Sequence, residues 1–191
     1  MGLSAAIYRL SFFLLGFGTS SLAMADNIQT ALPASDYVRM LGAYELADPS
    51  GAMHTEQEVT KKVCIVIFTV PDMNQGDMQQ AWSDLLANKP ETKVPDTVAL
   101  LLLEDISQAG FFKDMALDSM KKQFTPQSRP LVLMDQDGGF CKRFGLPPDT
   151  TEIFIYDKKG VLRDVETKLG EDDQDATMAR IKTITQILLA E

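Results

Sequence analysis

The chain has 191 residues, of which 27 are acidic and 18 are basic, and its formal charge at pH 7 is −9. This charge argues against nucleic acid and anionic lipid as main partners, because both repel an acidic surface. The length and the 45% share of hydrophobic residues predict one globular domain with its own core.

The first 25 residues have the pattern of a secretory signal peptide. Arg9 precedes an apolar run at 10–17, and Ala23 and Ala25 are the small residues expected before a cleavage site. A run of this length is too short to span a bilayer, which disfavours the alternative of an uncleaved anchor. The sequence therefore predicts cleavage after Ala25, a periplasmic or secreted domain of residues 26–191, and no stable membrane insertion after cleavage.

Residues 41–59, LGAYELADPSGAMHTEQEV, predict an N-terminal β-hairpin. Tyr44 and Leu46 alternate with a polar residue, and the turn at 48–51 carries proline and glycine where a β-turn favours them. His54, the only histidine of the chain, follows this turn. One histidine cannot supply a histidine cluster for zinc, so we expect a surface residue there.

The longest apolar run after the signal peptide lies at 63–70 and predicts a strand covered on both faces, because no polar residues alternate with the apolar ones. Pro71 ends this strand. Apolar residues then recur at helical spacing and predict a helix packed on the strand: Met78, Ala81, Trp82, Leu85 and Leu86. The connecting residues 71–76 follow the carboxyl end of a buried strand, where open α/β sheets build their sites.

The second half of the chain predicts further core elements. A polar linker at 88–96 precedes a second buried strand at 97–103. Residues 107–124 predict a helix with a core-facing apolar stripe, formed by Phe112, Met115, Ala116 and Met120. The remaining predicted elements are a strand at 131–134, a short helix at 140–144, hairpin strands at 152–156 and 161–165, and a final helix after the acidic residues 171–175.

The order of these elements predicts the architecture. Helices separate the first three core strands, which favours parallel pairing, and the last hairpin adds an antiparallel edge. We therefore expect an α/β protein with a mixed central β-sheet that is flanked by helices. No metal site is predicted, because the acidic stretches at 135–137 and 171–175 lack the ligand spacing of a calcium loop.

Two stretches carry a resemblance to a known family. Residues 130–164, PLVLMDQDGGFCKRFGLPPDTTEIFIYDKKGVLRD, resemble the C-terminal half of thioredoxin-like proteins of the peroxiredoxin and TlpA type, and KKVCIVIFTVP at 61–71 resembles an opening strand of that family. The resemblance covers roughly residues 40–190, and exported YtfJ-type proteins look like the nearest relatives. It implies a thioredoxin-like fold with an N-terminal β-hairpin.

The family's usual chemistry does not accompany this resemblance. In TlpA-like members a Cys-x-x-Cys pair follows the strand, and its positions fall here on Met73 and Gly76, while a peroxidatic cysteine would fall near Met78. Neither a thioether nor a glycine can supply a thiolate. The family's cis-proline has no counterpart either, because its position is taken by Thr151, preceded by Thr150.

The two cysteines, Cys64 and Cys141, leave two possibilities open. An exported protein with an even pair can form a disulfide, provided that the fold brings the α-carbons within roughly 7 Å. Alternatively Cys64 is a small buried hydrophobe of the apolar strand. Cys141 lies near a helix start beside Lys142 and Arg143, which can lower a thiol pKa and would support a thiol-disulfide or peroxide-type enzyme.

Three functions compete at this point. The first is a non-catalytic binding module for a protein or peptide of the cell envelope, with no cofactor. Its surface would be lined by residues at the family's former active site: Met73, Asn74, Gln75, Gly76, Thr150 and Thr151. The second is the thiol enzyme working through Cys141. The third is a structural subunit of an envelope assembly, which no residue pattern selects.

Overall fold

A computed structural model describes residues 40–69, 76–125, 129–145, 151–167 and 169–191. The strands in these ranges are β1 (Glu45–Ala47), β2 (Met53–Thr55), β3 (Cys64–Thr69), β4 (Ala99–Asp105), β5 (Leu131–Asp135), β6 (Thr151–Tyr156) and β7 (Leu162–Glu166). The helices are α1 (Gly76–Ala87), α2 (Lys113–Gln123) and α3 (Gln174–Ala190). Short 3-10 helices cover Glu56–Glu58, Ile106–Phe112, Cys141–Phe144 and Glu171–Asp173.

The described strands form one mixed sheet in the order β2-β1-β5-β4-β3-β6-β7. β3, β4 and β5 run parallel to one another, as the intervening helices predict. β1 is antiparallel to both β2 and β5, and β6 is antiparallel to both β3 and β7. The predicted mixed sheet, N-terminal hairpin and antiparallel final hairpin are all confirmed.

β3 is buried on both faces because each face meets a different set of side chains. Ile65 and Ile67 point to the side covered by α1 and α3, which we call the helical face. Val66 and Phe68 point to the other side, the aromatic face, which is covered by the Cys141–Phe144 turn and by the segment before β1. This two-sided burial explains why the sequence of β3 lacks alternating polar residues.

The prediction of one continuous helix over 107–124 is wrong. Gly110 adopts φ 54° and ψ −126°, which is outside the helical region and breaks the segment into a 3-10 helix and α2. As a result the apolar stripe does not face the core: Phe112 is 66% exposed and Met115 is 63% exposed. Phe111, next to the break, is fully exposed.

No helix among the described residues is long and apolar enough to cross a membrane.

His54 is more enclosed than the sequence suggests. Its side chain is 17% exposed and lies between two carboxylates of the hairpin region. Nε2 is 3.3 Å from Asp48 Oδ2, and Nδ1 is 2.9 Å from Glu58 Oε1. Burial alone would lower the pKa of His54, but the hydrogen bonds and charges of Glu58 and Asp48 outweigh it and raise the pKa.

Candidate functional site

The sheet places the predicted binding residues at its carboxyl edge. The parallel strands end together there, with Thr69 of β3 in register with Glu104 of β4. Thr151, the first residue of β6, pairs with Thr69, and its hydroxyl donates to the Thr69 hydroxyl at 3.4 Å. Gly76 begins α1. The other predicted surface residues lie outside the described residues: Met73, Asn74, Gln75 and Thr150.

A cis peptide bond joins Arg129 to Pro130, directly before β5. β5 runs parallel to β4, and its first residue, Leu131, pairs with Leu101 rather than with the end of β4. This proline therefore lies away from the carboxyl edge, while Thr151 borders the end of β3.

Cys64 is a free thiol at the amino end of β3, the opposite end from the carboxyl edge. Its side chain belongs to the aromatic face and the residue is 2% exposed. Burial raises the pKa of Cys64 to about 12, although the positive charge of Lys62 opposes this rise. A thiol in this position behaves as a small hydrophobe rather than as a nucleophile.

Cys141 is also a free thiol and is 3% exposed. Its N–H donates to Asp135 Oδ2 at 2.6 Å. Burial and a hydrogen bond from the thiol to Asp135 raise the pKa of Cys141 far above its usual range, and the charges of Asp105 and Glu104 add to this effect. The expectation that its basic neighbours lower this pKa is therefore wrong.

The position of Arg143 explains why its positive charge does not lower the pKa of Cys141. Its guanidinium lies 4.2 Å from the centre of the Phe140 ring and donates to the carbonyl of Ala43 at 3.2 Å. The charge thus stabilises the aromatic face instead of the thiol. Phe144 packs beside Phe140 with ring centres 5.1 Å apart, and beside Phe68 with centres 5.2 Å apart.

The structure contains a cleft on the helical face that the sequence did not predict. Its volume is about 370 Å³, and it lies between α1 and α2 over β4 and β5. Leu102 and Val132 form part of its floor, and Gln79 and Ser83 of α1 form part of one wall. Glu104 also lines it and is only 5% exposed.

Glu104 has an unusual electrostatic environment. Burial raises its pKa to about 7, although a hydrogen bond that Gln79 Nε2 donates to Oε1 opposes the rise. The Ser83 hydroxyl is buried and has no hydrogen-bond partner among the described residues. One sequence signal could have identified this site: Glu104 follows Leu100 and Leu102 at a spacing of two, which places a carboxyl on an otherwise apolar face.

Within the described ranges, no group of three or more His, Cys, Asp and Glu side chains is arranged to hold a metal ion.

Comparison with protein-family models and with curated proteins found no match. Solved structures, in contrast, match over most of the chain at low sequence identity. An exposed lipoprotein thioredoxin from Streptococcus pneumoniae aligns with a TM-score of 0.54 and 16% identity, over 73% of this chain and 99% of that one.

Two further structures broaden this similarity. A secreted disulfide oxidoreductase from Mycobacterium tuberculosis aligns with a TM-score of 0.50 and 15% identity, over 72% of this chain and 95% of that one. BsSco, from the Sco family of cytochrome c oxidase assembly proteins, aligns with a TM-score of 0.53 and 11% identity, over 83% of this chain and 98% of that one. At these identities the similarity establishes the architecture alone. Together with the sheet order, it shows that the chain has the thioredoxin-like α/β fold.

Proposed function

We propose that this protein is an exported, non-catalytic thioredoxin-like module that binds a protein or peptide of the cell envelope, and that YtfJ-type proteins are its nearest relatives. The observation that carries this proposal is the state of the two sulfurs. Cys64 and Cys141 are both buried, and both have a raised thiol pKa. Thiol-disulfide exchange requires an accessible thiolate, which neither side chain supplies.

Exposed apolar side chains support a binding role for the carboxyl edge. Phe111, Phe112 and Met115 follow the carboxyl end of β4 and are all largely exposed. Clustered large apolar groups on a surface are typical of protein interaction sites. The proposed binding residues are close in sequence to the end of β3 or to the start of β6, which are neighbouring strands of the sheet: Met73 to Gly76 follow β3, Thr150 precedes β6, and Thr151 begins it.

A redox protein working through Cys141 is the second candidate. The names of the similar structures favour it, because they include a thioredoxin and a disulfide oxidoreductase. The chain itself has no Cys-x-x-Cys motif, and Asp135 accepts hydrogen bonds from both the backbone and the thiol of Cys141. Such an acceptor stabilises the neutral thiol and disfavours the thiolate.

Titration of the native protein with a thiol reagent distinguishes the two candidates. At pH 8 we expect no rapid labelling, because a pKa near 12 reduces the thiolate fraction on the order of a thousandfold relative to an ordinary cysteine. Both thiols should label at once in denaturant, which serves as the control. One fast thiol in the native protein, or turnover in an insulin-reduction assay, would overturn the non-catalytic assignment and establish the redox alternative.

Capture of envelope proteins tests the binding surface. The double substitution Met73→Ala and Asn74→Ala should reduce crosslinking to a partner by tenfold or more if these residues line the interface, a loss of about 1.4 kcal/mol. Met53→Ala is the matched control, because Met53 is a 55% exposed methionine on β2, which is separated from β3 by β1, β5 and β4 in the sheet. Unchanged capture by the double variant would remove the surface assignment.

A further inference from the structure

The side chains of β4 alternate between the two faces of the sheet, and Glu104 takes a position that its neighbours fill with leucine. Leu100 and Leu102 pack into the core of the helical face, and Glu104 follows at the same spacing. A buried carboxyl costs stability unless its oxygens are satisfied. Glu104 receives a hydrogen bond at Oε1 from Gln79, and no described side chain satisfies Oε2.

No cation compensates this carboxyl within the described chain. Arg129 is the other charged side chain of the cleft, and its guanidinium is already engaged. It donates to the carbonyls of Val94 and Pro95 at 2.8 Å and to that of Val98 at 3.0 Å. Arg129 therefore fixes the chain before β4 and leaves Glu104 unpaired.

A second acceptor lies in the same cleft. The Ser83 hydroxyl is buried without a hydrogen-bond partner among the described residues, and Ser83 lines the cleft together with Glu104. Leu102, Val132 and Met120 supply apolar surface beside these two polar groups. An apolar cleft with a few convergent polar groups is the usual form of a small-ligand site.

We propose that this cleft binds a primary alkylammonium group, with the ammonium on Glu104 and Ser83 and the alkyl chain along Leu102 and Val132. An ammonium has three donors around a compact charge, which suits one free carboxylate oxygen and one hydroxyl. A guanidinium favours both oxygens of a carboxylate, and Gln79 already occupies one. The described residues that line this cleft are different from the residues of the binding surface proposed above.

The ionisation of Glu104 makes this binding dependent on pH. The groups facing it are amides and a hydroxyl from α1, Met120 from α2, Phe124 directly after α2, Pro49 from the hairpin turn, and the guanidinium of Arg129. Through the sheet, its charge also acts on the Cys141 thiol. With a Glu104 pKa of about 7, affinity for the ammonium should rise about thirtyfold between pH 5.5 and pH 8.5.

An NMR titration of the isotope-labelled protein with n-butylammonium chloride tests the proposal. We expect saturable shifts of the Gln79 and Ser83 amides at pH 8.5, and no such shifts with 1-butanol or sodium butyrate. Glu104→Gln should weaken binding by tenfold or more. Glu152→Gln is the matched control, because Glu152 is also buried with a raised pKa but lies outside this lining, on β6. Equal binding of butanol, or full binding by Glu104→Gln, would overturn the proposal.

Two further arms sharpen the result. Ser83→Ala should weaken butylammonium binding about threefold and leave the pH profile in place, since the carboxyl remains. A capped Gly-Lys-Gly peptide then identifies the source of the ammonium: binding of the peptide supports a lysine side chain, and binding of butylammonium alone supports a free amine. Absence of binding by both probes would contradict the proposal. Neither arm depends on partner capture or on thiol labelling.

Discussion

At the scale of single residues, Glu104 is the side chain whose environment departs most from what its local sequence predicts. Leu100 and Leu102, on the same face of β4, are apolar as expected for a buried strand, whereas Glu104 is a carboxylic acid. Ser83 of α1 is a second buried polar residue beside the core, and its hydroxyl has no hydrogen-bond partner among the described residues. Buried polar groups of this kind lower stability unless a partner satisfies them.

Replacing Glu104 by glutamine should stabilise the protein at alkaline pH. The folded pKa of about 7 lies above the ordinary glutamate value, so the folded state holds a proton that the unfolded state releases, and stability falls as pH rises from about 4.5 to 7. Glu104→Gln removes this loss and should raise the free energy of unfolding by about 2 to 3 kcal/mol at pH 8.

Urea unfolding at pH 4.5 and pH 8 measures this effect. The difference between Glu104→Gln and the wild type should be small at pH 4.5 and large at pH 8. Glu45→Gln, on an exposed position of β1, is the control and should change stability little at either pH. A difference of the same size at both pH values would show that ionisation of Glu104 is not the cause.

At the scale of elements, short strands and helix ends are held by charged side chains as well as by apolar contacts. The β1–β2 turn is organised by Asp48, whose Oδ1 accepts from the backbone of Ser50 at 2.8 Å and of Ala52 at 3.0 Å. Oδ2 of the same carboxylate faces His54. A hairpin with three-residue strands depends on such contacts because its own ladder is short.

His54→Gln should destabilise the protein at pH 5.5 and have little effect at pH 9. The folded pKa of His54 is raised, so its contribution is present below about pH 6.5 and is lost as pH rises through the folded value. The effect should stay below about 1 kcal/mol, because such ion pairs are partly screened by solvent. Thermal unfolding at the two pH values measures it, with Met53→Ala as the neighbouring control. A larger effect at pH 9 would contradict this assignment.

The final helix is joined to β7 by one arginine. Arg180 of α3 contacts Asp164 at 2.6 Å and Glu166 at 2.6 Å, and both carboxylates are buried. Burial, followed by the charge of Asp164, raises the pKa of Glu166 to about 7, while Arg180 opposes this rise. The guanidinium therefore offsets the repulsion between two adjacent carboxylates on one strand.

Arg180→Met should cost about 2 kcal/mol at pH 8, less than a fully buried pair because Arg180 is half-exposed. The cost should shrink at pH 5, where Glu166 holds its proton and needs no cation. Denaturant unfolding measures both values. Arg163→Met is the matched control, because one of the two carboxylates that Arg163 pairs with, Glu191, is half-exposed, and the loss should be below about 1 kcal/mol. Equal losses in the two variants would argue against the special role of Arg180.

At the scale of the whole molecule, the thioredoxin-like fold does not determine the function, which depends on the side chains at the site. In the sheet, β3 lies between β4 and β6, so that the carboxyl ends of β3 and β4 are at the same edge as the start of β6. The described side chains at that edge include Thr69 and Thr151, whose hydroxyls are hydrogen-bonded.

Export is the prediction that concerns the whole chain. Expression with its own leader should yield a periplasmic or secreted protein that begins at Asp26, because the apolar run at 10–17 is followed by the small residues Ala23 and Ala25. N-terminal sequencing and intact mass of the fractionated protein measure this outcome. Ala23→Leu with Ala25→Leu should block cleavage, whereas Asn27→Ala should not. A mature protein that retains Arg9 would contradict the prediction.

The sequence by itself determined most of the architecture. The run at 63–70 specifies a buried strand because burial on both faces tolerates no polar alternation, and Gly145, with φ 62°, ends the 3-10 helix Cys141–Phe144. The sequence also determined that the chain has no Cys-x-x-Cys pair, because its two cysteines are 77 positions apart.

Tertiary structure decided what spacing cannot encode. Cys141 has basic neighbours in sequence, but its pKa depends on Asp135 and on burial under the aromatic face, which come from distant strands. Phe112 has helical spacing, but the break at Gly110 turns it to solvent. The cleft needs Ser83 and Glu104 from separate elements. The local sequence pattern predicts which residues can be buried. The pKa of a buried group depends instead on desolvation and on the charges that the fold brings into contact with it.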